Sequence, residues 1–161
     1  MNEFFASIEQ TPISIWVRED LFAYFYILIF HSIGMALLIG GGVVVSLRVL
    51  GLAANTRVEK FRGFFPVMWV GAVMAVLSGI LLLIGYPAKA LTNPLFILKL
   101  VFLLSGGLMA GALGRAFADV AHGEPLPDWA KGAGLCILLA WGIAVAAGKL
   151  LLHTYTILLV S

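Results

Sequence analysis

No charged side chain lies between Asp20 and Arg48. An apolar run of that length reads as a helix crossing a lipid bilayer, since a helix satisfies its backbone N–H and C=O groups within one segment. Three further apolar segments follow, and the four spans are expected at about residues 20–50, 66–86, 95–118 and 129–159. None shows the period-two alternation of a barrel strand. The expected fold class is therefore all-α: a four-helix transmembrane bundle of up-down topology, one domain over residues 1–161. Pro66 suits the first turn of the second span, and Asn93–Pro94 opens the third. Glu124–Pro125–Leu126–Pro127 forms a stiff loop before the fourth.

Composition agrees. Of 161 residues, 62% are hydrophobic and 11% charged, against about 25% charged in soluble domains. The formal charge of +2 comes without a long Lys/Arg cluster, which excludes a nucleic-acid partner. The single Cys136 excludes an internal disulfide, a Cys-ligated iron–sulfur cluster and a Cys-rich zinc site, and is expected to be buried and inert. Residues 1–19 hold Glu3, Glu9 and Glu19 against Arg18, unlike the basic start of a signal peptide. With Phe4, Phe5, Ile8 and Trp16 they are expected to lie at the membrane interface.

Charge also orients the chain. The first connection carries Arg48, Arg57, Lys60 and Arg62 against Glu59, and Arg115 and Lys131 flank the third. The positive-inside rule places these connections in the cytoplasm and both termini outside, in a bacterial inner membrane.

Ionisable residues inside such spans mark function by default. His31 lies 11 residues past Asp20, about 16 Å along the axis. His153 lies 8 residues before the last residue, Ser161, about 12 Å. Both reach the outer half of the bilayer, and the first and last helices of an up-down bundle are neighbours. His31, Gly34, Leu38, Gly41 and Val45 form one helical stripe, and Gly142, Ala146, Lys149 and His153 form another. Gly34, Gly41, Gly142 and Ala146 would leave a slot beside the imidazoles for a flat porphyrin with His31 and His153 as axial ligands. Lys99 and Lys149 would neutralise its propionates; lipid phosphate is the plainer partner. Two other readings stay open: histidines that only hydrogen-bond between helices, and a copper site using His31, Met35 and His153. His122 reads as a solvated loop residue. Gly40–Gly41–Gly42 lacks the Lys-Ser/Thr of a phosphate loop and signals a close crossing, a kink or room for a cofactor. Small residues four apart, as in Gly71–Ala75–Gly79, Gly106–Ala110–Gly114 and Ala140–Ala144–Gly148, read as helix packing.

His31-Ser-Ile-Gly34-Met-Ala36 with Leu47-Arg48-Val-Leu50-Gly51-Leu52, Thr92-Asn93-Pro94-Leu-Phe96-Ile-Leu-Lys99, and Trp141-Gly142 with Gly148-Lys149 together resemble a group of small four-helix bacterial inner-membrane proteins. These are distantly similar to copper-resistance D and cytochrome b561-type bundles. The chain departs from that pattern at Ser46, where the resemblance implies an acidic residue, and at Lys149, where it implies arginine. The cytochrome-like comparison favours haem b.

The expected function is a membrane b-type cytochrome or haem-bearing subunit of a redox complex. It would act as an electron-transfer subunit rather than a stand-alone enzyme, between a periplasmic or membrane redox partner and quinone. The alternatives are a non-redox anchor or assembly subunit, a copper-handling protein, and a small four-helix haem-biosynthesis oxidase. The halves show no inverted repeat of a transporter.

Overall fold

Asp20 does for the first span what its position suggests: its carboxylate accepts the N–H groups of Phe22 and Ala23, each at 2.9 Å. It thereby satisfies donors that a helix start leaves without partners. The computed structural model describes residues 2–120 and 125–158, with side chains over 4–120 and 125–151. The elements in order are α1 (Asn2–Glu9), α2 (Pro12–Glu19), α3 (Leu21–Val49), a 3-10 turn (Val58–Gly63), α4 (Phe64–Gly85), α5 (Pro87–Leu91), α6 (Pro94–Val120) and α7 (Ala130–Leu158). The described residues contain no strand. Four helical stretches are long and apolar enough to cross a membrane: Leu21–Val49, Val58–Gly85, Pro94–Val120 and Ala130–Leu151. The chain is a multi-pass membrane protein of all-α class, and the helices α3, α4, α6 and α7 begin and end within two residues of the expected segments. The short α5 was not anticipated.

α3 ends on a glycine signal. The N–H of Gly51 donates to Arg48 O at 3.1 Å and that of Leu52 to Leu47 O at 3.0 Å. This reciprocal pair requires a left-handed residue after the cap, and Gly51 has φ +106. Arg48 then turns over the connection, donating through Nε and Nη2 to Thr56 O and lying over the Phe61 ring.

The bundle is built inside out. Its interior is small: Ala23, Gly34, Gly41, Gly42, Gly71, Ala75, Gly106, Ala110, Ala140 and Ala144 are buried. Large side chains point outward; Trp69 is 68% and Leu108 77% exposed. Lipid solvates apolar side chains as well as a core does, so helices in lipid associate through close backbone approach rather than burial of bulk. The same logic corrects the reading of Cys136, which is exposed on α7; an apolar span has an outer face where lipid, not protein, covers the thiol.

Two pairs of helices result. α3 lies against α4 and α6 against α7, and the pairs join through α3 and α7. At the α3–α4 crossing the backbones nearly touch. A Cβ added to Gly71 would sit 2.6 Å from both Gly34 O and Leu38 N, and one added to Gly34 would sit 2.7 Å from Ala75 N. Backbone atoms cannot yield as a flexible side chain can. Gly71→Ala is therefore expected to cost about 3 kcal/mol, the upper end for overpacking. Gly40→Ala, where a Cβ meets nothing within 4 Å, should cost nothing. Unfolding of both variants in detergent micelles checks the contrast, and equal stabilities would contradict it.

At the join between pairs, the Trp141 ring is sandwiched between Gly42 and Gly106. Its Nε1–H donates to Leu103 O at 3.1 Å. Val45, Leu113, Phe117 and Ile137 complete this core. The N-terminal segment, expected at the interface, forms α1 and α2 and seats on the end of α4. Ser14 Oγ donates to Ile84 O at 2.8 Å, Val17 covers Gly85, and Ile13 and Trp16 stay exposed. Arg18 ties the two short helices through Glu9.

Candidate functional site: a cleft beside His31

The close crossing at Gly34 and Gly71 sets the site. His31 is one turn before Gly34 on α3, and Ser78 is two turns after Gly71 on the antiparallel α4. They therefore meet: His31 Nδ1 lies 3.0 Å from Ser78 Oγ. Gly79 leaves the ring its space, since a Cβ there would be 3.3 Å from His31 Cε1.

The hydrogen bond has a direction. A serine hydroxyl carries one proton, and Ser78 Oγ is 2.5 Å from Met74 O, an acceptor only. The hydroxyl proton is committed to that carbonyl, so Ser78 accepts from His31 Nδ1–H. The neutral imidazole then carries its lone pair on Nε2, the form in which histidine binds a metal, with the opposite nitrogen held by a hydrogen bond.

His31 opens onto a cleft of about 1610 Å³. The cleft lies between α4 and α6, which part because each packs on another helix. They meet at the basic end of the bundle, where Phe65 lies against Phe117, ring centroids 5.4 Å apart, and against Gly114. Away from that contact the groove widens. Its lining includes Met35, Gly142, Ala146, Lys99 and Lys149. Lys99 is half-buried; its alkyl chain passes over Gly148 of α7, where a Cβ would sit 3.4 Å from Cδ and 3.8 Å from Nζ. Four cationic residues, Lys89, Lys99, Arg115 and Lys149, line the cleft and no carboxylate does among the described residues.

The sequence-expected residues separate into two groups. His31, Lys99, Lys149, Gly142 and Ala146 share the cleft. Gly34 and Gly41, expected to leave room for a ring, instead face the α4 backbone and Met68, where a Cβ on Gly41 would sit 2.5 Å from Met68 Cγ. The space beneath His31 is filled by helix α4, because glycine in lipid invites a helix as readily as a plate. The opening thus lies beside α4 and α6 rather than between the first and last spans, which touch through Trp141 and, further along, through Gly134 against Ser46 and Val49. The His153 side chain and His122 lie outside the described residues. Sequence reasoning missed Ser78. Its signal was present: a hydroxyl in the stripe of small residues Gly71, Ala75 and Gly79, within an otherwise apolar helix.

Comparison of the chain with protein-family models, curated proteins and solved structures gives no match, so its function is argued from the cleft.

Proposed function

We propose that the chain is a membrane b-type cytochrome, or the haem-bearing subunit of a redox complex, passing electrons between a periplasmic or membrane redox partner and quinone in a bacterial inner membrane. The observation that supports this most is the His31–Ser78 pair, which engages Nδ1 and so favours the tautomer with its lone pair on Nε2, beside a wide, mostly apolar cleft. The donor set suits haem. A porphyrin supplies four nitrogens of its own and would ask the chain only for His31 and His153. When bound, the haem iron supplies one-electron exchange. The chain's own residues do the rest. His31 offers Nε2, Ser78 holds the ring plane, and Lys99 and Lys149 set positive charge where propionates would lie. Gly142 and Ala146 put small residues on the α7 wall. His153, one turn beyond Lys149 in sequence, is proposed as the second axial ligand.

A second reading has its own observation. The His31–Ser78 bond also ties α3 to α4, which by itself is the work of polar glue in an anchor or assembly subunit. Copper would draw on His31, His153 and the Met35 thioether, and Met35 lines the cleft with His31. The test is the absorption spectrum of detergent-purified protein from haem-replete cells, oxidised and then reduced. A reduced b-type band, absent from His31→Ala, is the expected result. Colourless wild-type protein would rule the haem reading out, and bound copper in metal analysis would replace it.

A further inference from the structure

The cleft has a second end that the His31 site does not use. Beyond the Phe65 contact it continues into a recess of about 440 Å³ lined by Arg62, Phe65, Pro66, Trp69, Gly114 and Ala118. Arg62 is in the 3-10 turn just before α4, and Arg115 follows Gly114 on α6. Both guanidinium side chains are exposed, and neither enters an ion pair among the described residues. Among the described acids close in sequence, Glu59 is held by Arg57 at 2.9 Å, and Asp119, one turn past Arg115, lines neither cavity. Above the arginines the α6 wall carries Gly107 and Gly111, edged by Leu104 and Leu108. A Cβ on Gly107 or Gly111 would meet nothing within 4 Å, and Trp69 stands opposite on α4.

We infer that this end of the cleft binds an anionic phospholipid, its phosphate between Arg62 and Arg115 and an acyl chain along Gly114, Gly111 and Gly107. The two halves of the site ask for an amphiphile together. An apolar groove along Gly107 and Gly111, edged by Leu104 and Leu108, suits a flexible hydrocarbon chain. Two exposed guanidiniums at its mouth suit a phosphate, which they can engage through paired N–H donors. A soluble anion would leave the apolar groove unused, and a docking helix would leave the arginines unused. The end concerned carries most of the chain's basic residues, Arg48, Arg57, Lys60, Arg62, Arg115 and Lys131 among them. Basic pockets between spans on such a face recognise anionic headgroups. This inference stands whether or not the His31 end holds haem.

Native mass spectrometry of the full chain, released from micelles with equal phosphatidylglycerol and phosphatidylcholine, tests it. The wild type is expected to retain phosphatidylglycerol with a preference of roughly thirtyfold, the effect of two surface cations on an anionic lipid. Arg62→Gln with Arg115→Gln should abolish the preference while leaving the circular dichroism unchanged. Gly111→Leu, placed in open space and so able to fold, should lower retention of both lipids by filling the groove. Equal retention of the two lipids by the wild type, or a preference that survives the double arginine substitution, would overturn the inference. So would full retention in Gly111→Leu.

Discussion

Trp141→Ala is expected to destabilise the bundle by about 4 kcal/mol, within the range for truncating a buried tryptophan. The indole is 1% exposed and fills the space between Gly42 and Gly106. It is the largest fully buried side chain at the join between the α3–α4 and α6–α7 pairs. Lipid supplies little hydrophobic drive for helices to associate, so the loss falls on dispersion contacts and on the cavity left behind. Both glycines were shaped for this ring, and neither has a side chain that could move in to refill the gap. The hydrogen bond to Leu103 O adds to the loss, but that carbonyl has a second lone pair and is not stranded. Trp141→Phe should lose less, keeping part of the ring contact. Unfolding with a denaturing detergent, followed by helicity, measures both. A Trp141→Ala protein as stable as Trp141→Phe would show that the join does not depend on filling this space.

Ser78→Ala should separate the two roles offered for His31. Removing the hydroxyl leaves the Nδ1–H without its acceptor in a dry setting, and should cost about 1–3 kcal/mol of stability. If Ser78 only helps helices adhere, that is the whole effect. If it positions a ligand, haem affinity should also fall by about 10–100-fold, the usual consequence of losing the group that orients a metal-binding histidine. Titrating haem into the purified variant and following the reduced band gives the affinity; melting gives the stability. Lower stability with unchanged affinity would return His31 to the role of interhelical glue. Gly79→Ala is a useful companion. It crowds the same ring, with a Cβ 3.3 Å from Cε1, yet keeps the hydrogen bond, so its effect should be the smaller of the two.

The spans were legible because period and charge are local properties. Asp20 marks the start of α3, and Gly51 its end, by rules that operate within four residues. Pro94 opens α6 in the same way. Helix faces were legible only in part. The stripe through His31, Gly34 and Gly41 is a true stripe, and its glycines do permit close approach. What approaches them could not be read, since glycine admits a backbone, an indole or a cofactor equally. Here Gly34 received Gly71, Gly41 received Met68 and Gly42 received Trp141. Sequence distance also hid the partner of His31. Ser78 is 47 residues away and comes opposite only because the antiparallel helices cross at Gly34 and Gly71.

By itself the sequence determined four helices long and apolar enough to cross a membrane, their ends, and the presence of His31, Lys99 and Lys149 within them. Those follow from hydropathy, capping and helical rise, each counted along one chain segment. Tertiary structure alone decided that the helices form two close pairs, that Trp141 joins them, and that the open cleft lies between α4 and α6 with His31 held from Ser78 at its wall. The physical reason is that lipid is indifferent to which apolar face meets which. The choice rests on sub-ångström fit between small residues on different helices, and that fit is a property of the assembled bundle.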